Sequence, residues 1–500
     1  MELKEYQIKA LEQVKKYLDL LSEWREKAAK NPDAEIDWPA KAWEKMVLPR
    51  SYIPRKNGIG QPLPNFCIKI PTGGGKTLLA VKMIDSINTI YRKKRTGLIL
   101  WIVPSDPIYK QTIKKLRDRT DPYRQHLDIA SGGRTMIIEK TSHFSPTDVK
   151  ENLVVLMLML PSANRQSKET LRMFKDNGGF QSFFPEDDDR NGQEALLEQV
   201  PDLDVFGGKN GFWGKQVKTS LGNTLRLLAP VIILDEGHKA YSDLAQTTLR
   251  GFNPSIILEL SATPPDNSNV LVNIPGIDLA REDMIKLDLH VINKASPEWK
   301  NTLLASIEKR DYLEEQAKTY DANTGNYIRP ICLIQVERTS KDQHDGRHIH
   351  SEDIRDFLVK TRGIPFEQVA VTSAELKELE GHDLFARDCP IRYIITKHAL
   401  QEGWDCSFAY VLSVLTNPAS RNALTQLVGR ILRQPYARKT KIPALDESYV
   451  FTFRQQAADI LKRVKEGFED EGLGDLTTRV NIDENGEDVG MESRPRMFEI

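Results

Sequence analysis

Cysteine is scarce: only Cys67, Cys332, Cys389 and Cys406 occur in 500 residues, and no two form a Cys-x-x-Cys pair. That excludes a disulfide framework and a cysteine-ligated zinc site, and it fits reduced thiols in a cytoplasmic protein. Long hydrophobic runs are also missing. The longest, Leu153 to Leu160, falls far short of the roughly 20 residues that a membrane helix needs. The N-terminal MELKEYQIK is charged and lacks the apolar stretch of a secretion signal. No charge sign is in excess, since 70 lysines and arginines face 71 aspartates and glutamates. Bulk charge therefore selects no partner, and any basic surface must be local. No repeat of fixed period is visible.

What is present is ordinary globular composition, 40% hydrophobic and 28% charged, in a chain long enough for two or three domains. Residues 1 to about 30 carry apolar side chains at helical spacing, and a Pro- and Gly-rich stretch from Asn31 to Asn65 reads as loop. Five apolar runs follow: FCIKI (66–70), GLILWIV (97–103), NLVVLMLML (152–160), VIILD (231–235) and IILELSAT (256–263). A second series comprises ICLIQV (331–336), VAVT (369–372), RYIIT (392–396), YVLSVL (410–415) and YVFTF (449–453). Continuous apolar strands alternating with helices predict parallel sheets covered on both faces. Two such series predict two α/β domains, 1–290 and 291–460, with a boundary where the strand signal lapses near 285–300. Residues 161–229 form a long connection inside the first domain, functional or partly disordered, whose acidic run Glu186 to Asp189 reads as a solvated loop. Residues 461–500 read as a tail or the start of a further domain.

The segment FCIKI-PTGGGKT-LLAVKMI reads as strand, loop, helix. Gly73, Gly74 and Gly75 allow backbone N–H groups to converge on phosphate oxygens without Cβ clashes. The helix that follows turns its positive end toward the same anion. Lys76 reaches the β- and γ-phosphates of a nucleotide, and the Thr77 hydroxyl can ligate Mg²⁺. The loop departs from the strict phosphate-loop pattern, because Ile70 holds the first glycine position.

VIILD-EGH sets Asp235 and Glu236 at the end of a buried strand, the sheet edge where ligands bind. Asp235 would hold Mg²⁺, directly or through water, and Glu236 would orient and deprotonate an attacking water. In SRNALTQLVGRILRQP, Gln426, Arg430 and Arg433 are spaced four and then three apart, which predicts one helix face. A planar, permanently charged guanidinium suits the γ-phosphate of a hydrolytic transition state.

PTGGGKT (71–77), DEGH (235–238), SATP (261–264), EGWD (402–405) and QLVGRILR (426–433) occur in the order of helicase superfamily 2, which the chain resembles over roughly residues 1–455. EGWD followed by the Q-x-x-G-R-x-x-R helix looks most like the Res subunits of type III restriction enzymes. The resemblance implies two tandem RecA-like domains with an ATP cleft between them, the cofactors ATP and Mg²⁺, and stepping along a nucleic acid. It implies that Gln7, in LKEYQIKALEQV, reads adenine. It implies that Ser261 and Thr263 couple the ATP site to the nucleic-acid track, with His238 linking them to the metal motif. Gly403 and Asp405 would lie near the nucleotide. Val103-Pro104-Ser105 and Gln111-Thr112 would lie near the nucleic-acid backbone.

The resemblance further implies DNA as the polymer, duplex before single-stranded, with a DNA methyltransferase subunit or a nuclease module as partner. Res subunits end in a nuclease domain. Only 67 residues follow Arg433 here, with no D…ExK constellation, so no cleavage is expected from this chain alone. An RNA helicase and an ATP-gated scaffold without steady turnover are the competing readings. Three other features are weaker. His344, His348 and His350 lack usual zinc spacings and read as a polar loop. Arg92 to Arg95 either touches nucleic acid or stabilises a helix terminus, and the second reading is preferred. Trp404 could stack on a base or lie in the core.

Overall fold

The computed structural model describes residues 2–159, 173, 175, 178–207, 215–294, 298–336, 349–372, 378–379, 381–396, 406–415, 429–453 and 457–483. The chain divides into two compact units. One comprises Met1–Pro71 and Gly75–Ile274, the other Pro275–Ile500 with the three residues Thr72–Gly74.

The first unit is built on a seven-stranded sheet. Its strands are β1 (Asn65–Lys69), β2 (Gly97–Val103), β3 (Thr135–Glu139), β4 (Leu153–Met159), β7 (Val231–Asp235), β8 (Ile256–Ser261) and β9 (Val270–Asn273), after the short ribbon β5 (Val205–Phe206) and β6 (Gln216–Val217) is numbered in sequence. The order across the sheet is β3-β4-β2-β7-β8-β1-β9, and every pairing is parallel. All seven residues of β2 are buried, as are all five of β7. Helices cover both faces, so the alternation of a half-solvated strand gives way to a continuous apolar run. The first helix, Glu5–Lys30, buries Ala10, Val14, Leu18 and Leu21, spaced four, four and three apart, as a single apolar stripe.

The second unit repeats the plan with β10 (Leu289–Lys294), β11 (Ile331–Gln335), β12 (Val369–Thr372), β13 (Tyr393–Thr396), β14 (Ala409–Val414), β15 (Ser448–Phe453) and β16 (Val480–Asp483). The order is β12-β13-β11-β14-β15-β10-β16, again all parallel. The two tandem parallel α/β domains have the RecA-like architecture that the sequence led us to expect.

Four sheet strands escape a search for continuous apolar runs: β3, β9, β10 and β16. All four lie at or next to a sheet edge, where one side needs less apolar cover. β10, LHVINK, alternates in burial, with Leu289, Val291 and Asn293 buried and His290 and Ile292 partly exposed. It falls where the strand signal was read as lapsing, yet it opens the second sheet, and the units divide earlier, at Ile274. Within 461–500, read as a tail or the start of a further domain, β16 adds an edge strand to the second sheet, after the helix Ala457–Asp470. The long connection before β7 is folded where it is described. Its helix Arg190–Gln199 is capped by Asp189, one of the acidic run, and Phe180, Phe184, Leu203 and Leu225 join the core under β2, β4 and β7. Among the described residues, no helix is long and apolar enough to cross a membrane.

Candidate functional site: a phosphate loop facing two carboxylates

β1 runs into the loop and the helix Lys76–Ser86, whose N-cap is Gly75. Gly73 has φ +87° and Gly75 φ +86°, left-handed conformations that side chains resist. Gly75 is constrained twice, because a Cβ there would stand 2.5 Å from Gln7 Nε2. Gln7 is buried in the first turn of the N-terminal helix, where its Oε1 accepts from the backbone N–H of Lys4 at 3.0 Å. The residue expected to read adenine thus abuts the cap of the phosphate-loop helix. Lys76 and Thr77 are the first two residues of that helix, where its unsatisfied N–H groups and positive dipole end converge.

Asp235 ends the fully buried β7, two strands away from β1 across β8. Glu236 follows with φ +50°, an uncommon conformation for a residue with a side chain and one that clusters at functional positions. Its backbone N–H donates to Asp235 Oδ1 at 3.1 Å. Its Oε1 lies 2.5 Å from Lys76 Nζ, and both side chains are largely shielded from solvent. Burial, then the neighbouring Glu236 charge, raises the Asp235 carboxyl to about 6, with Lys76 opposing. Burial pushes Glu236 up as well, but Lys76, His238 and Lys239 outweigh it and hold Glu236 below the usual carboxylate range. The two carboxyls are therefore driven apart: one is short of positive charge, the other already has it.

The short turn Gly237–Ala240 carries His238, whose Nδ1 lies 3.0 Å from Ser261 Oγ at the end of β8. The same Ser261 Oγ accepts from the Thr263 backbone N–H at 3.2 Å. His238, Ser261 and Thr263 thus form one chain of hydrogen bonds beginning two residues after Glu236.

One residue that braces the site did not stand out in the sequence. Glu259, inside β8, is fully buried; its Oε1 accepts from Asn65 Nδ2 at 2.7 Å and its Oε2 from the Tyr241 hydroxyl at 2.6 Å. Burial raises its carboxyl, and the two donors pull it back. A Cβ on Gly237 would stand 3.3 Å from Glu259 Cβ, so Glu259 braces both ends of the turn that carries His238. The signal was a lone charge inside the apolar run IILELS.

In the second unit, a helical turn ends at Ile431. Arg430 belongs to it. Arg433 stands beyond it, in an extended bridge with Ile285, between hydrogen bonds from Lys286 N to Leu432 O and from Gln434 N to Met284 O. Arg430 and Arg433 therefore do not share the helix face that their spacing suggested, because the backbone leaves the helix to pair with residues 284–286. Gln426, Gly403, Trp404, Asp405, His344 and His348 lie outside the described residues. His350 caps the helix Ser351–Asp356, accepting from Glu352 N. Arg92 is spent on structure: Nη1 donates to Asn88 at 3.0 Å, and the guanidinium packs where a Cβ on Gly97 would fall.

Residues 1–266 match the model of a family described as type III restriction enzyme, res subunit. Curated proteins give no match. Among solved structures, the chain is similar to a fragment assigned to the HsdR subunit of a type I restriction enzyme from Vibrio vulnificus, at 11% identity and TM-score 0.40, over 82% of this chain and 65% of that one. It is similar to the ATP-dependent type ISP restriction-modification enzyme LlaBIII bound to DNA, at 12% identity and TM-score 0.44, over 96% of this chain and 31% of that one. It is also similar to the Mycobacterium smegmatis helicase Lhr bound to single-stranded DNA and AMP-PNP, at 13% identity and TM-score 0.38, over 81% of this chain and 46% of that one. The chain thus spans less than two thirds of each of these three proteins.

Proposed function

Because the chain belongs to the family of type III restriction enzyme res subunits, we propose that it is a nucleic-acid-dependent ATPase that translocates on or remodels DNA. The observation that carries this reading is the cluster of Gly73, Gly75, Lys76, Asp235 and Glu236, with Lys76 Nζ 2.5 Å from Glu236 Oε1. The donors suit ATP with Mg²⁺. The glycines open a cradle at a helix N-terminus, and the buried Asp235 carboxyl, raised to about 6, is short of a cation. Among the described residues no three His, Cys, Asp or Glu side chains cluster as a metal site. That fits Mg²⁺, which takes one or two protein oxygens, here Thr77 and Asp235, and draws its other ligands from phosphate and water.

Mg²⁺, held by Thr77 and Asp235, would supply neutralisation of the phosphate charge. The Thr72–Gly75 backbone and Lys76 bind and orient the phosphates. ATP competes with Glu236 for Lys76, and Glu236, once released, can accept the proton of the attacking water. Asp235 fixes the metal side of the site. Ser261, Thr263 and His238 relay the state of the turn to the polymer track. Arg430 and Arg433 are the guanidiniums proposed to neutralise transition-state charge. A defence role, with sequence recognition left to a modification subunit, is the finer part of the proposal.

The test compares phosphate release with duplex DNA, single-stranded DNA and RNA. Stronger stimulation by duplex DNA is expected. Stimulation by RNA alone would replace the reading with an RNA helicase, and turnover with no polymer dependence would remove the motor.

A further inference from the structure

The loop that follows Arg433 has no part in the ATP site, yet it is built with unusual care. Asp446 is buried, and its carboxylate accepts from Thr440 N at 2.7 Å, Thr440 Oγ1 at 2.9 Å, Lys441 N at 3.1 Å and Gln434 Nε2 at 2.9 Å. Around that anchor, Tyr436, Ala437 and Lys441 take φ of +57°, +50° and +68°. Three left-handed residues with side chains in one short loop persist only where their surroundings enforce them, and such strain gathers at functional sites. The loop presents Tyr436, which is 58% exposed, and the exposed cations Arg438, Lys439 and Lys441, of which Lys439 stands 3.6 Å from Asp283. No acidic residue occurs from Gln434 to Leu445.

A second exposed ring lies beside the first. Phe385 is 46% exposed, and it rests on the buried Phe408 at 5.1 Å between centroids, as Tyr436 does at 6.4 Å. The Phe385 loop is pinned from beneath by Arg329, fully buried, which donates to the carbonyls of Ala386 and Cys389 at 2.8 Å each and to that of Leu384. Phe408 immediately precedes β14, so both rings sit at the amino-terminal edge of the second sheet, opposite the edge where its strands end. Two buried ionic anchors thus hold two solvent-facing rings and a run of cations.

We infer that the loop Gln434–Asp446 and Phe385 form a contact for single-stranded nucleic acid, outside the motor motifs. It rests on the reading that this chain works on nucleic acid. Bases stack on Tyr436 and Phe385, while Arg438, Lys439 and Lys441 meet the phosphates. Charge complementarity selects a polyanion, and the paired exposed rings select one that carries bases.

The test is photo-crosslinking of a 4-thiothymidine single strand to the full chain, with peptide mapping, alongside anisotropy titrations. Adducts are expected at Tyr436 or Phe385. Tyr436→Ala with Phe385→Ala should weaken binding about 10-fold, and Tyr436→Phe should retain it. Replacing Arg438, Lys439 and Lys441 by alanine should lower the salt slope by about 2. Unchanged thermal midpoints would exclude misfolding as the cause. Adducts elsewhere with unchanged affinity, while polymers still stimulate ATP hydrolysis, would overturn this contact and leave the motor standing. No binding by the parent chain would overturn both. Equal displacement of the strand by poly-glutamate, with no need for the rings, would mark a dock for acidic protein instead.

Discussion

The two sheets have the same strand order. Counted along each unit, both run third, fourth, second, fifth, sixth, first, seventh, and both are wholly parallel. Yet the first strand of one leads into Thr72–Gly75 and Lys76, while β10 leads toward the helix Trp299–Thr324 with no glycine between Leu289 and Thr324. The fifth strand of one ends in Asp235 and Glu236; β14 ends in Val414 and Leu415. One scaffold occurs twice, and the first sheet alone has a glycine loop after its first strand and two carboxylates at the end of its fifth. Topology positions a site, and a few residues at strand ends decide whether there is one.

The largest expected effect breaks that comparison at the fifth strand. Glu236→Gln should slow phosphate release by about 10²–10³-fold, since it removes the group proposed as base. Leu415→Ala, at the matching place of the second sheet, should lower the thermal midpoint and leave turnover per folded molecule unchanged. Equal loss of turnover in both would contradict the division of labour.

Much of this was legible in the sequence. The central strands of both sheets announced themselves because burial on two faces demands unbroken apolar runs. Lys76, Asp235 and Glu236 stood out because phosphate and metal chemistry tolerates few residue types at such spacings, and the fold brings the three together. The edge strands β3, β9 and β16 were silent, having one side less to bury. Arg433 was misplaced because spacing alone cannot see the helix break at Leu432, which follows from pairing with residues 284–286, distant in sequence. Glu259 was visible only as an oddity, since its partners Asn65 and Tyr241 come from other elements.

A smaller effect is expected at Glu259. Glu259→Ala should cost about 3 kcal/mol, because Tyr241 and Asn65 lose a buried acceptor. Glu259→Gln should recover most of it, as read by denaturant unfolding of the first unit.

The pH dependence follows from Asp235. Its folded value, about 6, lies above that of an unfolded aspartate, so the native state binds the extra proton. Without divalent cations, stability should fall as pH rises from about 4 to about 6, by on the order of 2 kcal/mol, and flatten above. Asp235→Asn should abolish that slope, and Mg²⁺ should offset it in the parent protein alone. Thermal midpoints across this range would reveal a slope of the opposite sign if Asp235 were instead satisfied.

The smallest effect probes the glycine loop after β1, which has no counterpart after β10. Gly75→Ala should cost about 1–2 kcal/mol for its φ of +86°, and more for the clash with Gln7. Adding Gln7→Ala should relieve the clash and leave the backbone strain. A thermal midpoint unmoved by Gly75→Ala would mean that the loop is not held as described.

The most direct measurement is ATP turnover by the full chain and by Lys76→Ala, with and without nucleic acid. Polymer-stimulated hydrolysis should fall at least 100-fold when the ammonium facing Glu236 is removed. Hydrolysis indifferent to Lys76 would contradict the assignment of this site, however closely its lysine and carboxylates converge.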